Sequence, residues 1–168
     1  PIYIAASGVF ASIVGVFVVK VVGKKDAQGS LMMGTYVAAG LTILATLAIV
    51  AKFGVEYTMG GETFGKFGPF WATVFGVVSG GLIGFVSEYY TSDHYAPVKL
   101  MGKNSQSGPA IAVTEGLAIG MKSTAFPTIV LAIAVVLSYN FAGIYGVAMA
   151  ALGMLATTGM IVSVDAYG

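Results

Sequence analysis

The sequence has no cysteine, no arginine and little charge of either sign. Without cysteine there can be no disulfide framework, no thiolate metal site and no cysteine nucleophile. Eight basic residues, all lysine, against seven carboxylates give a formal net charge of +1. That leaves no polybasic surface for a phosphate backbone, which excludes nucleic acid as a partner. Charged residues make up 9% of the 168 positions, whereas a soluble domain carries about 25%. With 57% hydrophobic residues and a mean hydropathy of +0.91, a water-soluble globular fold is excluded as well. Prolines are scarce, five against 24 glycines, which suits helices packed closely in lipid better than disorder.

What is present is a series of apolar runs. A lipid-spanning helix needs about 20 mostly apolar residues, and the runs that qualify are residues 2–22, 30–51, 68–88, 108–137 and 141–164. The third is the cleanest. It is bounded by Lys66 and Glu88 and opens on Gly68, Pro69, Phe70 and Trp71, a helix start with an aromatic residue suited to the membrane interface. From Ser123 to Val164 there is no charge at all, too long a stretch for one crossing, and Ser138, Tyr139 and Asn140 supply a polar break between two helices. The sequence therefore predicts an all-α, polytopic transmembrane helix bundle of about five spans, with residues 1–168 forming one integral membrane segment. No basic region precedes the first run, as a cleavable signal would require. The abrupt start at Pro1 and end at Gly168 point to an internal piece of a larger polytopic protein.

Lysine placement predicts orientation, because positive loops stay cytoplasmic. Lys20, Lys24 and Lys25 flank the first gap, and Lys99 and Lys103 lie in the third. The second gap has only Lys52 and Lys66, beside Glu56 and Glu62, and the fourth has none. Gaps 20–30 and 88–107 are then cytoplasmic, and the last span delivers Asp165 to the same face.

Several residues could carry chemistry. Gly76, Gly80 and Gly84 form overlapping GxxxG patterns, and Gly143, Gly146, Ala150, Gly153 and Thr157 form a second stripe of small residues; both read as close helix packing. Glu115 and Lys122 lie inside the fourth predicted span, seven residues apart and so on one helical face, about 10 Å apart along the axis. An ionisable group at that depth costs roughly 2.5 to 3.5 kcal/mol, so each needs a partner or a water-filled cavity. They are either functional groups or charges that pair with neighbouring helices and fix packing, and Glu115, about 10 Å in from Gly108, could also sit near the headgroups. The stretch from Glu88 to Lys99 gathers Tyr89, Tyr90, Ser92, Asp93, His94 and Tyr95. Its lone histidine lacks zinc-site spacing, and a short stretch rarely supplies alone the several converging oxygens that a hard cation requires, so interfacial anchoring is the reading of that loop. No Gly-rich phosphate loop follows a strand, and nothing orients Ser92 and His94 as a catalytic pair. Asp165 is a lone carboxylate ending a glycine-rich helix.

Glu88 to Ser92 (EYYTS), then Tyr95, Pro97 and Val98, Gly116 to Ser123 (GLAIGMKS), Tyr145 to Leu155 (YGVAMAALGML) and Asp165 to Gly168 (DAYG) together resemble the membrane-integral pyrophosphatases, pumps energised by pyrophosphate. The opening PIYIAASGVFASIVG resembles the helix that follows that family's second acidic segment. The resemblance thus covers nearly the whole chain, more weakly over residues 20–67, as a middle quarter of a full protein. It implies magnesium-dependent hydrolysis of pyrophosphate at a cytoplasmic site, coupled to outward movement of protons or sodium ions, in a homodimer, with potassium as a possible further cation. The family's carboxylate-rich motifs precede this segment, and its DNAGG motif follows it, so the resemblance implies that Mg2+ is bound outside these residues and that the segment alone is catalytically inert. No metal ligand or cofactor-binding residue is expected here. Asp165 is the only residue carried over toward the catalytic machinery, as a group acting through metal-binding residues beyond it. The resemblance puts the fourth span near the subunit interface, where Glu115 and Lys122 would serve the dimer. Pairing with the bilayer and with the remaining helices of the same protein follows from either argument. The alternative is a helix-bundle segment of a secondary transporter or channel, which would be marked by broken helices and internal repeats at an ion site; the sequence offers neither.

Overall fold

A computed structural model describes residues 1–22, 27–92 and 94–167, with side chains placed except at 22, 27, 28 and 163–167. Lys24, Lys25, Asp93 and Gly168 fall outside the described residues, as does the side chain of Asp165. The elements in chain order are α1 (Ile2–Val22), α2 (Ala27–Phe53), β1 (Tyr57–Met59), β2 (Glu62–Phe64), α3 (Gly68–Thr91), α4 (Ala96–Ser105), α5 (Pro109–Leu155) and α6 (Thr158–Tyr167). Four helical stretches are long and apolar enough to cross a membrane. Contacts divide the chain into two compact units, Pro1–Gly80 with Ala134–Gly168, and Gly81–Ile133.

In the first unit α1 and α2 run antiparallel. Tyr3 at the start of α1 stacks on Phe53 at the end of α2, with ring centroids 5.8 Å apart. Their backbones meet where Gly15 faces Gly34: a methyl group on Gly15 would sit 2.8 Å from the Gly34 carbonyl oxygen. Without a hydrophobic drive between helices in lipid, this absence of side chain is what allows dispersion contact along the pair. The same device joins α3 to the last part of α5, since Gly76 lies against the Ala150 backbone and Gly153 against the Thr73 carbonyl. Hydroxyls buried in these helices fold back on their own turns. Thr42 donates to the Ala38 carbonyl at 2.9 Å, Thr46 to Thr42 at 2.8 Å and Thr73 to Pro69 at 2.8 Å, so these three are paired in an apolar setting.

Two interruptions differ from the predicted spans. Residues Ser138, Tyr139 and Asn140 remain helical, and the first break comes at Ala142 (φ −152°, ψ 19°) and Gly143 (φ 60°, ψ −153°). The backbone there needs a left-handed residue, and Gly143 is the first glycine that can supply it. Ser138 instead packs fully buried, its hydroxyl the one buried side-chain polar group without a partner among the described residues. The predicted span 141–164 is itself divided, because α5 ends at Leu155 and α6 begins at Thr158. The Met160 amide donates to the Thr157 carbonyl at 3.0 Å, a tightened turn that frees the Ala156 carbonyl. Ser12 of α1 takes that carbonyl with its hydroxyl at 2.9 Å, fully buried. Gly8 and Gly159 leave room for the approach: a methyl group on Gly8 would lie 3.0 Å from the Ala156 Cα, and one on Gly159 would lie 2.9 Å from the Ser12 Cβ. Met160 then lies on Gly34 beside Val19, so α6 heads toward the end where α1 finishes and α2 begins.

A β-hairpin fills the gap between α2 and α3, a feature absent from the all-α expectation. Tyr57 pairs with Phe64, Thr58 with Thr63 and Met59 with Glu62. Gly60 (φ 64°) and Gly61 (φ 89°) form the two-residue turn, whose positive φ values match the twist of tight hairpins. The hairpin seals the first helix break: the Tyr57 hydroxyl donates to the Ala142 carbonyl at 2.9 Å, the Tyr57 ring meets Tyr145 edge-on at 5.4 Å, and the Phe64 ring covers Gly143. Trp71, Phe75 and Phe141 extend this aromatic band, with Phe75 and Phe141 centroids 5.4 Å apart, as expected of a membrane–water boundary. Burial, and secondly the neighbouring Tyr145, raise the pKa of Tyr57 above its usual value of 10.0. The phenol therefore contributes its full stabilisation below pH 10, and the contribution is lost as pH rises through the elevated value. Tyr57→Phe removes the bond at every pH and is expected to destabilise the protein by about 1 kcal/mol. The difference in thermal midpoint between wild type and variant should then shrink in strongly alkaline buffer.

Candidate functional site

In the second unit, the end of α3, all of α4 and the start of α5 enclose a cleft of about 640 Å³. The helices on either side are set by proline. Pro97 lies in the first turn of α4 and Pro109 opens α5, positions where a missing N–H costs nothing. The gap 88–107, read from sequence as a loop, thus contains a helix. Met101 of α4 reaches Gly116 of α5, where a methyl group would sit 3.5 Å from the Met101 Cε. Tyr89 meets Tyr90 edge-on at 5.2 Å and Tyr95 at 5.1 Å, which gives the cleft an aromatic rim.

Glu115 and Lys122 both line this cleft, together with Lys99 and Lys103 of α4. Sequence spacing had put the first two on one helical face; the contribution of the α4 lysines follows only from how α4 packs. Among the described residues none of these four forms an ion pair. The 47 residues of α5 would measure about 70 Å if straight, more than twice a hydrocarbon core of about 30 Å. The uncharged stretch between Lys122 and the break at Ala142 already provides about 30 Å of helix. Glu115 and Lys122 therefore lie in a helical stretch longer than one crossing, within the candidate span Pro109–Val162.

Tyr89 and Tyr90 of the same stretch line the cleft as well, whereas Ser92 and His94 are not among its lining residues. The His94 amide donates to the Ser92 hydroxyl at 3.4 Å, a local turn contact. Among the described residues no three metal-ligating side chains are gathered, and Glu56, Glu62, Glu88 and Glu115 are dispersed along the chain. These residues do not fit a magnesium site. Asp165 belongs to α6, and its side chain lies outside the described residues.

Helices of this length with exposed Phe10 (71%), Leu117 (65%) and Ile129 (58%) define a polytopic integral membrane protein, because such surfaces are stable only in lipid or against further helices. Comparison with known proteins narrows the class. All of residues 1–168 match the family model for the inorganic H+ pyrophosphatase, and the chain belongs to that family. It is 39% identical over 173 residues to a K(+)-stimulated pyrophosphate-energized sodium pump of Thermotoga maritima, covering 100% of this chain and 24% of the relative. It is 37% identical over 177 residues to a K(+)-insensitive pyrophosphate-energized proton pump of Methanosarcina mazei, covering 100% and 25%. A pyrophosphate-energized proton pump 2 of Mycoplana dimorpha is 35% identical over 171 residues, covering 100% and 82%. The chain spans about a quarter of the length of the first two relatives.

Proposed function

We propose that this chain is a segment of a pyrophosphate-energized ion pump, which hydrolyses pyrophosphate and moves protons or sodium ions outward across the membrane. The observation that carries the proposal is the family match over every residue, joined to relatives whose names specify pyrophosphate-energized pumping. Magnesium supplies charge neutralisation to pyrophosphate chemistry, and in this reading carboxylates outside residues 1–168 hold it. Potassium stimulation divides the relatives by name and is a second property to measure. The full protein is a homodimer, gaps 20–30 and 88–107 face the cytoplasm, and Asp165 on α6 positions metal-binding residues that follow it. The transporter or channel alternative requires half-helix ends aimed at a ligand. Here the Ala142 and Ala156 carbonyls accept bonds from Tyr57 and Ser12 of the chain itself, which favours the pump.

The test uses the full-length protein in sealed vesicles. Phosphate release from pyrophosphate is expected only with magnesium present and to be accompanied by proton or sodium uptake; absence of hydrolysis with intact, folded protein overturns the reading. In the same assay Asp165→Asn is expected to lower hydrolysis at least several-fold at unchanged protein level, with a shifted magnesium dependence. An unchanged magnesium dependence would remove the positioning role.

A further inference from the structure

The cleft of the second unit has features to which the proposed function assigns no role. Lys99, Lys103 and Lys122 converge on it against the single carboxylate of Glu115, so it presents an excess of two positive charges with no internal ion pair among the described residues. Its wall is apolar, built by Leu100 and Ile119, with the phenol rings of Tyr89 and Tyr90 at the rim. Beyond it α5 continues with Ile129 and Ile133 exposed at 58% and 54%, a surface that requires acyl chains or other apolar cover. About 640 Å³ lies within the range of small-ligand sites.

We infer that this cleft binds the phosphate headgroup of an anionic phospholipid, with the lysines around the phosphodiester, the tyrosines at glycerol depth and the acyl chains along α5. The chemistry is that of basic pockets between membrane helices, where each lysine near the surface contributes attraction to anionic lipid. A free anion would satisfy the lysines and leave the apolar wall and the exposed isoleucines uncovered, so the lipid is the occupant that uses all of the features. Glu115 opposes the lysines: its carboxylate lowers the net charge, so its removal strengthens binding, the reverse of what a damaged fold does.

The experiment measures retention of phosphatidylglycerol and phosphatidylcholine by the purified full-length protein, by native mass spectrometry and in vesicles of each composition. Wild type is expected to retain phosphatidylglycerol preferentially. Lys99→Gln, Lys103→Gln and Lys122→Gln together are expected to weaken that retention about 100-fold, and Glu115→Gln to strengthen it several-fold. Equal retention of the two lipids by wild type, or loss of retention in E115Q as in the triple variant, overturns the proposal. So does displacement of the lipid by millimolar inorganic phosphate, which would assign the cleft to a free anion.

Discussion

Replacing Gly76 by leucine is expected to abolish recovery of folded full-length protein from the membrane. The Gly76 Cα faces the Ala150 backbone so closely that a methyl group there would lie 2.7 Å from the Ala150 carbonyl carbon and 2.8 Å from its Cα. The obstacle is backbone, so no side-chain rotation relieves it, and the facing Gly153 against Thr73 fixes the two helices at the same separation. Alanine at 76 is the graded form. Its better helix propensity stabilises by up to about 1 kcal/mol, whereas overpacking of this kind costs about 1 to 3 kcal/mol; the second term dominates and the thermal midpoint falls. Gly84→Ala is the control, because nothing lies within 4 Å of a methyl group there. Propensity acts alone at that position, and stability is unchanged or slightly raised. A midpoint lowered equally by both substitutions would show that the contact at Gly76 is not what joins these helices.

Gly143→Ala is expected to produce a comparable loss. With φ 60° and ψ −153°, Gly143 occupies a region essentially closed to residues with a Cβ, and forcing one there costs on the order of 1 to 3 kcal/mol. The new methyl group would also press on the Phe64 ring at 3.1 Å. Both effects act on the turn that the hairpin covers, so the variant should lose thermal stability and expose the hairpin to protease, with Gly40→Ala, which meets nothing within 4 Å, as the neutral comparison. Unchanged protease resistance in Gly143→Ala would mean that the helix does not break at this residue.

These two positions also mark how far the sequence was legible. Helices α1, α2 and α3 stand out because lysines and glutamates interrupt the apolar runs at their ends, and the bilayer sets the length between interruptions. The first break was expected at Ser138, Tyr139 and Asn140, on polarity. Polarity alone does not break a helix, and Ser138 stays helical although its hydroxyl has no partner among the described residues; a residue free to take positive φ does break it, and that shifts the break to Gly143. The second break, between Leu155 and Thr158, has no local signal. The Ala156 carbonyl at that break is taken by a hydroxyl supplied by Ser12, 144 positions earlier. The hairpin did have a signal, Gly60 and Gly61 between Tyr57-Thr58-Met59 and Glu62-Thr63-Phe64, short enough to be hidden in a gap read only for its charge. At the cleft, Glu115 and Lys122 were visible by spacing along one helix, while Lys99 and Lys103 reach it through the packing of α4.

The tie between Ser12 and the Ala156 carbonyl sets an order of events during biogenesis. Helix α1 emerges from the ribosome and enters the bilayer long before residue 156 is synthesised, so Gly8 and Ser12 wait without their final neighbour while the intervening helices insert. Closure of that contact reports that α6 has arrived, and an intermediate stalled before it exposes small residues of the kind that quality-control machinery or a wrongly chosen helix can occupy.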